Sequence, residues 1–308
     1  MASGSKKVIL AALVGNSLIA VTKFIAASIT GSSAMFSEGV HSLVDTGNQG
    51  LLLYGLKQAK KPADEHFPFG HGKEIYFWSF VVAILIFALG AGISIYEGLQ
   101  HIAHPGHISN PTINYIVLSL AIVFEGGALY FAVVEFLKTK GNRSTIKAVM
   151  HGKDPSIFVV LFEDSAAMLG LVVALAGITM AQITGDTFWD GAASVVIGLI
   201  LGGTAIWLAY ETKSLLIGEA AEPEIVKSIK TMSMAQEGVE HVNEILTLHM
   251  GPDFVLATIS VDFCNGLPAG QVEQTIQKLD TLIKEKHPRV KRVFVEAEAK
   301  YEQNLKEQ

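Results

Sequence analysis

Six long apolar blocks follow one another along the first two thirds of the chain. Each is long enough to cross a membrane as a helix, which takes about 20 mostly apolar residues. The blocks are Val8–Thr30, Ala34–Leu56, Ile75–Ile102, Ile113–Leu137, Ser156–Gln182 and Phe188–Leu216. The pattern predicts six transmembrane helices, and the second is the least apolar of them.

Positive charge is distributed unevenly among the segments that connect these blocks. Lys and Arg occur at the N-terminus, in the second and fourth connections and after the sixth block, whereas the other three connections contain neither. Because Lys and Arg close to membrane spans stay on the cytoplasmic side, this alternation predicts that both termini are cytoplasmic. The chain is therefore expected to be a multi-pass integral protein of the inner or plasma membrane.

A pattern typical of soluble proteins begins near Glu222. Amphipathic helical segments and alternating strand segments follow in the order helix, strand, strand, helix, strand. They read EPEIVKSIKTMSMAQ, VEHVNEILTLHMG, FVLATISVDFC, GQVEQTIQKLDTLIKEKHP and RVKRVFVEAEA. This order predicts a small α+β domain of the ferredoxin-like class, with its helices on one face of the sheet. We expect a transmembrane transport domain at 1–216 and a cytoplasmic αββαβ domain at 217–308, and the open sheet suggests a homodimer.

Composition narrows the function classes. Of the 308 residues, 17% are charged, whereas a soluble protein has about 25%. The net charge of −6 and the lack of a basic cluster argue against nucleic acid as a partner. Because Cys264 is the only cysteine, the chain can form neither an internal disulfide nor a cysteine metal cage.

Polar residues interrupt the second apolar block, in SEGVHSLVDTGNQG. On a helix, Glu38, His41, Asp45 and Asn48 fall within about 80° of one another, and His41 and Asp45 are neighbours at i and i+4. Ionisable residues inside a membrane are costly and usually mark an ion path or a proton relay. The alternatives are a structural stripe of hydrogen bonds between helices, or an Asp paired with Lys23 of the first block.

Carboxylates also occur in two other apolar blocks. Glu163 and Asp164 are adjacent in the fifth block, where they point about 100° apart on a helix, and Glu125 lies in the fourth. A histidine and carboxylates from different helices supply nitrogen and oxygen ligands, which suit Zn²⁺ and also Mn²⁺, Fe²⁺ or Co²⁺. Because the same groups bind protons, metal binding competes with protonation, as metal–proton exchange requires.

Two further histidine groups lie between the blocks. PADEHFPFGHGKE places Asp64, His66 and His71 in a turn-rich connection that could fold around a cation; the alternative is a solvated loop. His101, His104 and His107 lie at and after the end of the third block. Their spacing suggests a metal-binding group, but ordinary loop histidines are the favoured interpretation.

These motifs together resemble the cation diffusion facilitator family, which includes the zinc transporters. The resemblance covers essentially the whole chain and is carried by HSLVD in the second block, HFPFGHGKE in the loop and the acidic motif of the fifth block. The segments HSLVDTGNQGLLLYG, DPSIFVVLFEDSAAMLG and FEGGALY are most similar to the branch that contains the animal mitochondrial zinc transporter.

The resemblance implies a homodimeric divalent-cation/proton antiporter that alternates between two open states. The transport-site ligands of the family match His41, Asp45 and Asp164. The family usually has a His four residues before the last of these, but here that position is Val160. Glu163, Asn48 or a water would then complete the shell. The family's loop site matches Asp64, His66 and His71.

The sequence therefore predicts proton-coupled efflux of divalent metal, Zn²⁺ first, from the cytoplasm by alternating access. The expected partners are metal ions, protons, membrane lipid and a second copy of the chain. The alternative is a membrane metal sensor or scaffold that does not transport. We expect no enzyme activity, because the chain has no HExxH motif and no evident nucleophile–base pair.

Overall fold

The computed structural model describes residues 3–106, 109–140 and 155–300. Long helices fill the N-terminal part, and a π-helical turn at Ile86–Ala91 joins two of them into the continuous run Glu74–Ala103. These helices are α1 Ser3–Thr30, α2 Ser33–Ala59, α3 Glu74–Leu85, α4 Gly92–Ala103, α5 Pro111–Lys140, α6 Pro155–Thr184 and α7 Phe188–Ile217. The lysine-rich fourth connection, at 141–154, lies outside the described residues.

Among the described residues, four helical segments are long and apolar enough to cross a membrane: Glu74–Ala103, Pro111–Val134, Phe158–Thr184 and Phe188–Ile217. The chain is thus a multi-pass membrane protein, and these four predicted spans are supported. In α1 the apolar part described, Asn16–Thr30, is short for a span. Helix α2 is long enough but carries the polar stripe. The first two spans therefore stay predictions.

The start of α2 is tied to α7 by a buried aspartate. Helix α1 ends at Thr30, and Gly31 follows it with a φ of 71°, which suits a residue without a side chain. Ser32 then caps α2 by accepting the Met35 N–H at 3.1 Å. The two oxygens of Asp190 accept the Ser32 hydroxyl and the Ser33 N–H, each at 2.6 Å. These bonds satisfy donors at the helix start that would otherwise be buried without partners.

Glycines allow α4 and α7 to approach closely. A Cβ added at Gly98 would lie 2.7 Å from the Gly191 carbonyl oxygen and 2.8 Å from atoms of Val195. A Cβ added at Gly191 would lie 2.8 Å from the Ile102 side chain. Small residues at helix crossings let backbones meet in this way inside membranes. The contact therefore depends on the absence of side chains at these positions.

The C-terminal domain has the predicted element order. Its elements are α8 Pro223–Met234, β1 Val239–Gly251, β2 Phe254–Phe263, α9 Ala269–Lys286 and β3 Val290–Ala297. The strands form a sheet in the order β1-β2-β3, with β1 antiparallel and β3 parallel to β2. Both helices share one core with the sheet through Ile229, Ile259 and Ile283. The narrower ferredoxin-like assignment stays a prediction.

The described residues divide into two compact units. One lies within Met1–Lys57 and Ile75–Lys213, and the other within Gln58–Glu74 and Ser214–Gln308. In the second unit, a Cβ at Gly72 would overlap the Met250 carbonyl. The loop that follows α2 therefore packs directly on the sheet domain. The domain boundary between residues 216 and 217 stays a prediction.

We expect Gly98→Ala to destabilise the membrane unit, because the added methyl overlaps the α7 backbone. Overpacking of this kind costs about 1–3 kcal/mol, so the midpoint of thermal unfolding in detergent should fall. Gly203→Ala is the matched control, since nothing lies within 4 Å of a Cβ at that helical position. An unchanged midpoint for Gly98→Ala would show that α4 and α7 can separate at no cost.

Candidate metal site

The predicted polar stripe lies on α2, and most of it is buried. His41, Asn48 and Glu38 are 3% exposed or less. The His41 Nε2 and Asp45 Oδ2 atoms are 3.1 Å apart, as the i and i+4 spacing predicts. The two side chains predicted to bind metal from α2 are therefore already in contact with each other.

Helix α6 brings the second pair of predicted ligands to the same region. Asn48 donates from Nδ2 to Glu163 Oε1 at 2.8 Å, which links the α2 stripe to α6. Glu163 is 5% exposed, and Asp164 follows it on the same turn. Although adjacent residues point in different directions on a helix, both carboxylates reach the same cavity.

This cavity has a volume of about 30 Å³, which is room for an ion or about two waters. Three predicted ligands line it, namely Asp45, Glu163 and Asp164, together with Glu125 from α5. The other lining residues are Asn16, Ile19, Ser42, Gln49, Phe124 and Ala128. His41 reaches this site through Asp45 rather than as part of the cavity wall.

Two of the predicted ligands that line the cavity, Asp45 and Glu163, contact other side chains of α2. Within the described residues, no group of three or more His, Cys, Asp or Glu side chains is arranged to hold a metal. Asp45 contacts His41, and Glu163 accepts from Asn48. Like charges repel in a medium of low dielectric constant, so the carboxylates need a cation between them to approach one another. Metal binding would require these side chains to converge.

A buried lysine connects three helices beside the cavity. Lys23 of α1 is 1% exposed, and its Nζ donates to Glu38 Oε2 at 3.0 Å, to Ser42 Oγ at 2.8 Å and to Glu125 Oε1 at 3.1 Å. Lys23 thus pairs with Glu38 and Glu125, and the alternative pairing with an Asp of α2 is wrong. The apolar pattern identifies Lys23 as an intramembrane charge, but only the fold identifies its partners.

A second polar cluster lies at the start of α2, around Asp190. The His101 Nδ1 atom is 3.8 Å from Asp190 Oδ2, and neither ring nitrogen of His101 has a hydrogen-bond partner among the described residues. His104 follows at the end of α4, and His107 lies outside the described residues. Sequence reasoning missed Asp190 because its partners Ser32 and Ser33 are more than 150 positions away.

The predicted loop site brings together two of its three residues. The His71 Nε2 and Asp64 Oδ2 atoms are 2.9 Å apart, while Asp64 Oδ1 accepts the N–H groups of His66 and Phe67. The hydrogen bonds from His71 and from the Phe67 N–H hold the pKa of Asp64 below its usual value. The side chain of His66 is exposed, and its backbone, not its ring, contacts Asp64.

The amino-acid sequence matches a known protein family over the region that forms this site. The sequence profile of the cation efflux transmembrane domain matches residues 9–217 of the chain, a region that contains both the cavity and the loop. The chain belongs to the cation efflux family.

Several curated proteins are similar to this family member. The mitochondrial proton-coupled zinc antiporter SLC30A9 of Homo sapiens is 35% identical over 263 residues, which are 84% of this chain and 46% of that protein. Metal tolerance protein C4 of Arabidopsis thaliana is 30% identical over 261 residues, 84% of this chain and 57% of that protein. This chain spans about half the length of these two relatives. The manganese efflux system protein MneP of Bacillus subtilis (strain 168) is 21% identical over 306 residues, 97% of each chain.

Membership of the cation efflux family confirms the resemblance to the cation diffusion facilitators, and the match to SLC30A9 supports the predicted mitochondrial branch. The family, SLC30A9 and MneP are named for transport and not for catalysis, in agreement with the predicted function class. The relatives are named for different metals, zinc and manganese.

We expect the Asp64 loop to lose its hydrogen bonds in acid. Because the pKa of Asp64 is lowered in the folded chain, its stabilising effect is complete above the unfolded value of about 3.9 and is lost as the pH falls through the folded value. Hydrogen exchange of the loop amides in metal-free buffer, corrected for intrinsic rates, should therefore accelerate below about pH 4.

The control for this measurement is Asp64→Asn, whose loop should show no such pH dependence. In His71→Ala the acceleration should begin at a higher pH, because the largest cause of the lowered pKa is gone. An unchanged profile in His71→Ala would contradict the assigned contact.

Proposed function

We propose that this protein exports divalent metal cations, Zn²⁺ first, across its membrane in exchange for protons. The observation that carries the proposal is that Asp45, Glu163 and Asp164 line one cavity, with His41 in contact with Asp45. Carboxylates within membrane helices are retained by proteins mainly where ions or protons pass. Membership of the cation efflux family and the name of the 35% identical antiporter support the same function.

The proposed transport site consists of His41, Asp45 and Asp164, with Glu163 as the fourth ligand. This role of Glu163 is supported by its position in the cavity lining and by its hydrogen bond with Asn48. Val160 has an apolar side chain that cannot bind metal. One imidazole with several carboxylates is an oxygen-rich set. It accepts Zn²⁺ and also Mn²⁺, Fe²⁺ or Co²⁺, in keeping with relatives named for zinc and for manganese.

Proton coupling follows from the chemistry of these ligands. A metal ion can displace the proton of His41 and separate the His41 ring from Asp45. The reason is that an imidazole that binds metal must be neutral and a carboxylate that binds metal must be ionised. On the other side of the membrane, protons would return to the same groups and release the metal. If the cavity opens first to one side of the membrane and then to the other, each metal ion leaves in exchange for protons.

We also propose a second metal site in the loop after α2 and a dimeric assembly. Asp64, His66 and His71 form a secondary metal site on the cytoplasmic side, where both termini also lie. The contact between His71 and Asp64 supports this site, and His66 would have to turn inward to complete it. The functional unit is a homodimer in lipid.

A metal sensor or scaffold is the second candidate. It is favoured by one observation, that Val160 stands where the family usually has a metal-binding His. A sensor would bind metal and change conformation without moving it across the membrane.

Transport by the purified chain in liposomes with an internal pH dye should distinguish these functions. Addition of Zn²⁺, Mn²⁺, Fe²⁺, Co²⁺ or Cd²⁺ should move protons for at least one metal. We expect Asp45→Asn and Asp164→Asn to abolish this movement, because each removes a ligand that also carries a proton.

Asp186→Asn is the matched control. Asp186 is exposed and caps α7 by accepting the Phe188 N–H, a bond that Asn can keep. Its transport should equal that of the wild type. Metal binding without flux would establish the sensor, and flux without proton movement would establish a channel.

A further inference from the structure

Glu125 of α5 takes part in two sets of interactions. Its side chain, which is 16% exposed, lines the cavity beside Asp45 and Asp164. Its Oε1 atom also accepts from Lys23 at 3.1 Å. Glu125 is thus an acid on the cavity wall that is held by a buried cation.

Lys23 has no donor to spare. An ammonium group has three N–H donors, and those of Lys23 are directed at Glu38, Ser42 and Glu125. One ammonium group therefore serves two carboxyl groups, and it keeps a partner if either of them is released.

Glu38 is placed to keep Lys23 if Glu125 leaves. Both Glu38 and Lys23 are almost completely buried, and Glu38 lies next to Gly170 of α6, where an added Cβ would overlap Oε1. The Oε1 atom has no hydrogen-bond partner among the described residues. Glu38 can therefore hold the ammonium without help from Glu125.

We infer that Glu125 is a further metal-binding residue, which Lys23 holds while the cavity lacks a cation and releases when a divalent ion enters. The incoming ion supplies two charges and takes over the Glu125 carboxylate as an oxygen ligand from α5. Lys23 remains with Glu38 and Ser42 as a positioning residue. This inference rests on the proposed function, because it assumes that the cavity is the transport site.

Competition between Lys23 and the metal has an unusual consequence. Removal of Glu125 should weaken metal binding, whereas removal of Lys23 together with Glu38 should strengthen it. The double change leaves the net charge unaltered and frees Glu125 for the cation. A purely structural role for the lysine cluster predicts weaker binding, or no change, in both cases.

Equilibrium dialysis of Zn²⁺ and Mn²⁺ against the purified full chain in detergent tests the inference. We expect Glu125→Gln to raise the Kd for the metal on the order of tenfold or more. Loss of a residue that supports a metal site typically lowers metal affinity on this scale. The double variant Lys23→Gln with Glu38→Gln should lower Kd. Glu97→Gln, the same change on α4 away from the cavity lining, is the control and should bind as the wild type does. Circular dichroism and gel filtration establish that each variant is folded.

Asp45→Asn separates failure of this inference from failure of the proposed site. If Asp45→Asn loses binding while Glu125→Gln binds as the wild type does, the role of Glu125 is wrong and the proposed site stands. If neither change affects binding, the proposed site and this inference both fail. A double variant that binds as weakly as Glu125→Gln also overturns the inference, because Lys23 would then support binding rather than compete with it.

Discussion

A charge inside a bundle of membrane helices is stable only where a partner of opposite charge or a hydrogen bond meets it. This constraint organises the membrane unit around α1, α2, α5 and α6. Lys23 joins Glu38 and Glu125 from two other helices, and Asn48 holds Glu163 across the α2–α6 contact. The polar residues of the second apolar block therefore contribute to the association of the helices as well as to the cavity.

The same partners set the properties of the proposed transport site. An acid without a partner would bind a cation tightly and release it slowly, and it would also be costly when no cation is present. Asp45 and Glu163 have partners that reduce that cost, and those contacts have to be broken when metal enters. An exporter benefits from this balance, since its turnover requires release as well as capture.

Helices, strands and the contact of His41 with Asp45 could be predicted because they depend on short-range periodicity. The strand Val239–Gly251 begins and ends where the alternating pattern does. Contacts between distant segments could not be predicted in this way. The hydrogen bond between Asp190 and the start of α2 joins residues that are far apart in the sequence. The partners of Lys23 likewise depend on how the helices are arranged in space. The π-helical turn at Ile86–Ala91 was likewise missed, because its six residues IFALGA are as apolar as the helices on either side.

The contact between Glu38 and Gly170 has a consequence for the evolution of the family. Because the carboxylate of Glu38 occupies the space that a side chain at position 170 would need, neither position can change freely by itself. A lineage that gains a larger residue at 170 needs either a shift of the Glu38 carboxylate or a different residue at 38. Positions 38 and 170 should therefore covary, and their inheritance as a pair would mark the relatives that keep this internal ion pair.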